Sequence, residues 1–535
     1  MRPESWVRLV DEKFGGRFDI SGFPKPQGGG WWLAVCVPAL SFLVYLLTLA
    51  PGLTFANNGS DGGDLIAAAR TLGIPHPSGY PTYTLLAWLF TQLPVGVIAY
   101  RVNLLSAVCA AVAVGLVFWT AQVQVATNGQ RWLIPAVTGF SFAFSSLFWS
   151  QAVISEVYAL LALFSAALLL LLVRWRAGGG DGLLYLAAFT LGLGLGNHLS
   201  LIFVLPAALL LLWPERRRWF CARILLSSLA LFLLGLSVYV YLPLAAQHRP
   251  PVNWGNPQTW KGFLWVVTAK QYQAFAFGLE LAAIPGRALA WAGILGDQFG
   301  WWGLAISLVG AWSWWQRDRR FAIFALAWIL LIAVYAFLYN TGDSYVYLIP
   351  AVMLMALWWG EGVRQLLGMV HSQRKEWLKW AIVAVLLLPL VSLALHWHAV
   401  RPDDDWQAHA FVYTVMDVVE PQSVIVVRAD GPTFALWYGL YAEEARSDVA
   451  VISGPLLAYY WYRDNMRHLY PYLILNEPGP EVELFDDLVQ DLVASNRSHT
   501  FYAVDPKEEW QEWADFLPVD GASIQRVELK APEEL

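Results

Sequence analysis

Long apolar stretches alternate with short polar segments over roughly the first 400 residues of the chain. A helix that crosses a bilayer needs about 20 predominantly apolar residues. The pattern predicts about eleven spanning helices, near residues 32–50, 102–124, 132–150, 156–174, 182–197, 199–213, 223–244, 288–315, 321–339, 345–364 and 378–396. The stretch 82–99 is shorter and is interrupted by Pro94, so we expect it to lie at the membrane interface rather than to cross.

The pattern changes after His398. The remaining residues include many acids and no apolar run of spanning length, and short β-branched runs at 423–427 and 448–452 lie between helical stretches. Such runs are typical of parallel strands in a small α/β domain. We therefore predict a cytoplasmic N-terminal segment, a transmembrane domain with a catalytic loop, and an extracytoplasmic α/β domain, at residues 1–31, 32–398 with loop 51–101, and 399–535 respectively.

The basic residues orient these helices, because Lys and Arg collect in cytoplasmic loops. If the N-terminus is cytoplasmic and 82–99 does not cross, the basic clusters all fall in cytoplasmic loops: Arg131, Arg174 and Arg176, Arg216 to Arg218 with Arg223, Arg317 with Arg319 and Arg320, and Arg364 with Arg374 and Lys375. The loops that contain unusual polar motifs then face the other side. We expect a multi-pass protein of the cell membrane whose C-terminal domain is extracytoplasmic.

The composition supports this class and excludes others. Hydrophobic residues make up 58% of the 535 residues and charged residues only 14%, whereas soluble domains have about 25% charged residues. The net charge of -6 argues against nucleic acid as a partner. The three cysteines, Cys36, Cys109 and Cys221, show no metal-ligand spacing.

The first polar loop, residues 51–81, places charged residues between two apolar stretches. Charged residues beside hydrocarbon are energetically costly, so they usually have a function. Asp61 and Asp64 are candidate general bases that take a proton from an acceptor hydroxyl as its oxygen attacks a sugar. Arg70, His76 and Arg101 are candidate partners of a phosphate on the leaving lipid, which requires positive charge or a divalent cation rather than a strong acid. The alternative is structural, because Asp is a favoured N-cap and both acids precede or begin a helix.

A series of short motifs resembles a family of membrane proteins, formerly of unknown function, that is grouped with the glycosyltransferases of C-type (GT-C) fold and related to the protein O-mannosyltransferases. The resemblance covers roughly residues 35–360. In chain order the motifs are Asp61-Gly62-Gly63-Asp64, the run from Gly73 to Pro81, Trp149-Ser150-Gln151-Ala152, Ser155-Glu156-Val157-Tyr158, Gly196-Asn197-His198-Leu199, the run from Asn253 to Pro257 with Gln271-Tyr272, Tyr339-Asn340, the run from Asp343 to Tyr347 and, more loosely, Leu436-Trp437-Tyr438 and Ser447-Asp448-Val449.

The resemblance implies a multi-spanning transferase that takes a sugar from a polyprenyl-phosphate donor outside the cytoplasm, with Asp61 as the catalytic base. Where this chain has Asp64, the family more often has Glu. A single displacement at the anomeric carbon inverts its configuration. The acceptor hydroxyl belongs to a protein, a lipid or a glycan, membrane lipid surrounds the helices, and a divalent cation at the donor phosphate is the candidate cofactor.

Further candidate substrate-binding residues lie in the other polar loops, and they are Tyr80, Glu156, Asn197, His198, Lys270, Tyr272 and Asp343. Each has a structural alternative. Glu156 is placed to interact with a helix dipole, His198 to form a hydrogen bond in the core, and Lys270 to lie at the level of the lipid headgroups.

The alternative function is that of a transporter or flippase of lipid-linked sugars. Transporters place polar residues at the membrane midplane, often in paired repeats. Here the polar motifs collect on one face and no repeat is visible. The sequence therefore predicts an inverting glycosyltransferase.

Overall fold

The structure is a computed structural model that describes residues 30–124, 132–477 and 485–530, and most of these residues are helical. Within these ranges, seven helices are long and apolar enough to cross a membrane: Ile98–Gln124, Tyr158–Arg176, Leu199–Trp219, Ala222–Gln247, Arg319–Leu338, Ser344–Gln373 and Lys375–Val400. Two further helices, Leu133–Ala143 and Ser146–Ala152, are bent by 68° at a short break and make an eighth span if they cross together.

Each of the eleven predicted spans has a helical counterpart. Three counterparts fall outside the set of eight, namely Leu33–Leu47, Gly182–Leu195 and Ile284–Arg317. The first two have 15 and 14 residues, which at 1.5 Å per residue is about 22 Å, shorter than a bilayer core of about 30 Å. The third is interrupted at Gly300, which has a φ of 68°. The polytopic character is confirmed, and the count of eleven stays a prediction.

The segment 82–99 overlaps the helix Pro81–Thr91, whose 11 residues extend about 16 Å. The other shorter helices between residues 30 and 406 that belong to none of these spans are Gly62–Thr71 and Trp260–Val267. Of the predicted cytoplasmic segment 1–31, residues 1–29 lie outside the described residues, as does Arg131.

The helices differ in burial as expected for a bundle in lipid. Tyr158–Arg176 and Ser344–Gln373 lie at the centre and are mostly buried, whereas Ala222–Gln247 and Lys375–Val400 expose most of their apolar side chains. Apolar side chains gain nothing from leaving lipid, so peripheral membrane helices have no need to bury them.

The C-terminal region contains a five-stranded sheet of β1 (Val424–Val427), β2 (Ala450–Ser453), β3 (Phe501–Val504), β4 (Ala514–Pro518) and β5 (Gln525–Leu529), in the order β2-β1-β3-β5-β4. Strand β1 pairs in parallel with β2 and β3, and β5 pairs antiparallel with β3 and β4. The parallel strands are fully buried, as is usual when both faces of a sheet are covered. The predicted parallel strands are thus present, and two antiparallel strands extend the sheet.

The helices beside this sheet are Gln407–Val418, Asp430–Trp437, Tyr460–Leu469 and Phe485–Ser495. We call residues 407–529 the α/β unit. Its helix Asp430–Trp437, the docking helix, packs against Gly62–Thr71, the loop helix. The approach is so close that a Cβ on Gly63 would lie 2.2 Å from the carbonyl oxygen of Phe434. The α/β unit is therefore in direct contact with the first polar loop.

We predict that Gly63→Ala destabilises the protein by about 1 to 3 kcal/mol, because overpacking forces backbone to move. The measurement is thermal unfolding of the purified protein. Gly293→Ala is the matched control, since a Cβ there meets nothing within 4 Å and alanine favours a helix by up to about 1 kcal/mol. Equal unfolding temperatures for the two variants would contradict the close approach.

Candidate active site

The loop helix begins directly after Asp61 and includes Asp64 in its first turn. Asp61 occupies the N-cap position, yet its side chain makes no capping hydrogen bond. The carboxylate of Asp64 binds groups outside the helix. The structural alternative, in which these acids cap the helix, therefore does not describe either side chain.

Asp64 is completely buried and has three hydrogen-bond donors around its carboxylate. Its Oδ2 accepts from the backbone N–H of His76 at 2.9 Å and from Nδ1 of the same residue at 2.8 Å. Its Oδ1 accepts from the indole Nε1 of Trp254 at 2.9 Å. No part of this carboxylate is exposed, and two of its three donors belong to His76, so Asp64 positions that ring. Its role as a second base stays a prediction.

His76 links the two acids. Its Nδ1 faces Asp64, and its Nε2 lies 3.7 Å from Oδ2 of Asp61. Burial alone lowers the pKa of His76, but the charge of Asp61 and the hydrogen bond and charge of Asp64 outweigh it and raise the pKa to about 9. At neutral pH the ring is therefore an imidazolium between two carboxyl groups.

Asp61 is the acid that remains open to solvent, with 40% of its side chain accessible. Protein nevertheless surrounds the carboxylate on most sides, and this burial raises its pKa to about 6. The charge of His76 lowers the pKa, while the charges of Asp64 and Asp343 raise it. The result is a carboxylate that is ionised at pH 7 and basic enough to take a proton.

Aromatic rings enclose His76. Its ring centroid lies 5.0 Å from that of Tyr80 and 6.3 Å from those of Trp254 and Tyr272. The ring of Phe434, from the docking helix, stacks over it at 6.4 Å with an interplanar angle of 11°. Three separate regions of the chain thus surround one imidazolium, and they exclude water from most of it.

His198 lies beyond Tyr80, at a centroid distance of 6.4 Å. Its Nδ1 accepts from the backbone N–H of Ser200 at 3.2 Å. Burial and the charge of His76 lower its pKa to about 4, so the ring is neutral and its proton is on Nε2. His198 is therefore available as a hydrogen-bond donor and not as a cation.

Glu156 and Asp343 interact electrostatically with Asp61. The charge of Asp343 raises the pKa of Asp61, and the charge of Asp61 raises the pKa of Glu156. Glu156 is buried, and this burial together with the charges of Asp61 and Asp343 raises its pKa well above the ordinary value. Asn197 is also buried; its Nδ2 donates to the carbonyl oxygen of Val157 at 3.1 Å, and its Oδ1 has no partner among the described residues. The candidates from four separate motifs therefore converge on Asp61 or on its neighbours.

Two predicted phosphate partners are placed elsewhere. Arg101 donates to the carbonyl oxygens of Thr91, Val95 and Gly96 at 2.8 to 3.0 Å, so its guanidinium holds the end of the helix before it. Arg70 is in the last turn of the loop helix, about 13 Å along the axis from Asp61. In this structure the charge of Arg101 is thus used by backbone carbonyls, and that of Arg70 lies at the negative end of a helix dipole. Their role as phosphate partners stays a prediction.

Lys270 is exposed, and its Nζ contacts Oε1 of Gln273 at 3.3 Å. It shares a short helical turn with Tyr272, which does reach His76. No group of three His, Cys, Asp or Glu side chains in the described parts of the chain is arranged to hold a metal ion. The divalent cation stays a prediction, and we assign no step to it.

Sequence reasoning missed three contributions to this site: the indole donor of Trp254, the stacked ring of Phe434 and the carboxylate of Asp430. Asp430 acts on the charges of His76 and Asp61 from the start of the docking helix. A signal for it existed, because side chains that follow the carboxyl end of a parallel strand often line a site. Asp430 follows the predicted strand at 423–427 by three residues.

Comparison with known proteins finds sequence relatives that match most of this chain. Residues 61–219 match the family model of the protein O-mannosyl-transferase TMEM260 N-terminal domain, and residues 408–471 match that of the TMEM260-associated domain 2. Protein O-mannosyl-transferase TMEM260 of Mus musculus is 28% identical over 84% of this chain, and its counterpart in Dictyostelium discoideum is 22% identical over 80%. The chain spans 67% and 58%, respectively, of these two relatives.

Among solved structures, ArnT from Cupriavidus metallidurans bound to undecaprenyl phosphate resembles the chain with a TM-score of 0.54 and 14% identity, over 94% of this chain and 98% of that one. This likeness shows the fold. Together with the sequence relatives, it confirms the resemblance that the motifs indicated. The chain is therefore a membrane glycosyltransferase of the GT-C fold, related to the protein O-mannosyl-transferases.

Proposed function

We propose that the chain transfers mannose from a polyprenyl-phosphate donor to a hydroxyl group of a protein, on the extracytoplasmic side of the membrane and with inversion. The observation that carries the proposal is the Asp61 carboxylate, which is accessible to solvent, has a pKa of about 6 and lies 3.7 Å from the imidazolium of His76. A base with these properties is suited to deprotonate an acceptor hydroxyl at neutral pH.

In the proposed reaction an oxygen of Asp61 takes the proton of the acceptor hydroxyl while that oxygen attacks the anomeric carbon. The bond from this carbon to the phosphate oxygen breaks, and the lipid phosphate leaves with the electron pair. Because a phosphate monoester anion is a weak base, it needs no proton in order to leave. One displacement inverts the configuration, and Asp61 releases its proton to solvent afterwards.

His76 has two tasks in this scheme. Its positive charge keeps Asp61 ionised before the proton transfer, and it attracts the phosphate on which negative charge develops. Asp64 and Trp254 fix the ring in place. Lys270 remains the candidate for a second phosphate contact, because it belongs to the same short helical turn as Tyr272.

The identities of donor and acceptor rest on the relatives. The two curated relatives are named protein O-mannosyl-transferases, which supports mannose as the sugar and a protein as the acceptor. The structurally similar ArnT binds undecaprenyl phosphate, which supports a polyprenyl-phosphate donor. These relatives are transferases, so the transport alternative gains no support from them.

The side of the membrane and the domain arrangement belong to the same proposal. Arg176 and Arg218 pair with Asp318 and Asp181, respectively, at helix ends that carry the basic clusters. The loops around Asp61 and the α/β unit that packs on them contain none of those clusters. The rule that cytoplasmic loops are basic therefore supports an extracytoplasmic site, an extracytoplasmic α/β domain and about eleven spans.

We predict that Asp61→Asn lowers the rate of mannosyl transfer by about 10²- to 10⁴-fold, because an amide of the same shape accepts no proton. The measurement follows labelled mannose from polyprenyl-phosphate mannose to a Ser- and Thr-containing peptide with purified protein. Asp487→Asn, in the α/β unit, is the control for a neutralised acid. A folded Asp61→Asn protein with the wild-type rate would remove the proposed base.

We predict that kcat rises with pH through about pH 6 and levels off above it, because Asp61 works only in its ionised form and its pKa is about 6. His76→Asn removes a positive charge that lowers this pKa, while its amide is suited to keep a hydrogen bond to Asp64. The rise therefore shifts to higher pH in this variant. An unshifted profile would show that His76 does not act on the base.

A further inference from the structure

Asp430 is an acid at this site that has no role in the proposed reaction. It begins the docking helix, three residues after strand β1 ends. Its side chain is exposed, and it forms no hydrogen bond or ion pair with the described residues. A carboxylate that is open to solvent and unpartnered inside the site is free to accept a hydrogen bond from a bound molecule.

The docking helix determines where this carboxylate lies. Phe434 follows Asp430 by four residues, and residues at this spacing share one face of a helix. The ring of Phe434 stacks on His76, so the same face is turned toward the imidazolium. The next residue, Gly431, packs against the residue before Asp61, since a Cβ on it would lie 3.6 Å from the Cβ of Ser60. Asp430 therefore begins its helix at the site, on the side formed by the α/β unit, and its charge acts on His76 and Asp61.

The position of the carboxylate relative to the base is fixed by backbone packing. The docking helix meets the loop helix at Gly63, two residues after Asp61. A second attachment lies in the loop of residues 248–259, which we call the middle loop. There Nδ2 of Asn465 donates to the carbonyl oxygens of Pro250 and Pro251 at 3.4 and 3.0 Å. Such fixed spacing matters for transfer, because a displacement of about 1 Å in a bound reactant costs about 10²-fold in rate.

The charge of Asp430 indicates which substrate it contacts. The donor carries an anionic phosphate, which a carboxylate repels, whereas a peptide presents backbone N–H donors beside its Ser or Thr hydroxyl. Hydrogen bonds to an ionised acceptor are shorter and about twice as strong as neutral ones. A carboxylate beside the base therefore suits the acceptor peptide and disfavours the donor.

We propose that Asp430 is a specificity-determining residue that binds the acceptor peptide, by accepting a hydrogen bond from a backbone N–H next to the reacting hydroxyl. This inference rests on the proposed function and adds to it the part of the site that comes from the α/β unit. Asp430 would hold the hydroxyl at the base and take no part in the proton transfer itself.

The test compares full-length wild type, Asp430→Asn and the matched control Asp487→Asn, which also neutralises an acid in the first turn of a helix of the α/β unit. Two rates are measured for each: mannosyl transfer to the peptide, and hydrolysis of polyprenyl-phosphate mannose without peptide. We expect Asp430→Asn to raise the KM for the peptide about tenfold or more. The donor KM and the hydrolysis rate are expected to change less, through the lost charge that acts on His76 and Asp61. Asp487→Asn is expected to match wild type throughout.

An unchanged peptide KM in Asp430→Asn would overturn the inference, and so would an equal loss of transfer and hydrolysis, because the variant would then act through the fold or the donor. A peptide analogue with the N–H next to the hydroxyl replaced by N-methyl gives a second arm. Wild type is expected to bind it about tenfold more weakly. Asp430→Ala, whose side chain has no hydrogen-bond acceptor, is expected to bind both peptides alike. If instead transfer persists in Asp61→Asn, the proposed function fails by itself, since that variant leaves Asp430 intact.

Discussion

The buried carboxylate of Asp64 is the interaction on which the rest of this site depends. It accepts hydrogen bonds from two nitrogens of His76 and from the indole of Trp254, and so it joins the first polar loop to the middle loop. A charge in such a place is tolerated only with its partners, and loss of one partner costs about 3 to 5 kcal/mol. The Asp side chain is one methylene shorter than the Glu that the family more often has, and here both loops reach it within hydrogen-bond distance.

From this attachment follows the electrostatic balance at Asp61. Enclosure by protein makes the carboxylate a stronger base, and the imidazolium of His76 keeps it from holding a proton at neutral pH. Each effect alone gives a poor catalyst, since an isolated Asp is too weak a base and a buried one would be protonated. The rings of Tyr80, Trp254 and Phe434 contribute to this balance. They exclude water around His76, while the side chain of Asp61 stays accessible to solvent.

The site is formed by two parts of the chain, the first polar loop and the α/β unit, which are joined by a close contact between their backbones. Gly63 leaves room for the carbonyl of Phe434, and this contact brings the α/β unit onto the loop helix. The first polar loop thereby supplies the carboxylate of Asp61, and the C-terminal unit supplies a ring over His76 and the carboxylate of Asp430. The reaction proposed above, between a lipid donor and a peptide acceptor, would use both parts of the site.

The sequence alone predicted the apolar helices and the polar loop with its acids, because apolar length and local charge are properties of short segments. The assignment of Asp61 as the base rests on the family resemblance and stays a proposal. The sequence did not determine which charges meet. Tertiary contacts bring Asp64 to His76 and Arg101 to backbone carbonyls, and the sequence predicted neither set of partners. Asp430 lies 369 positions after Asp61 in the chain, and only the packing of two helices brings it to the site. Partner choice depends on distances between distant segments, and a local pattern of residues contains no such distances.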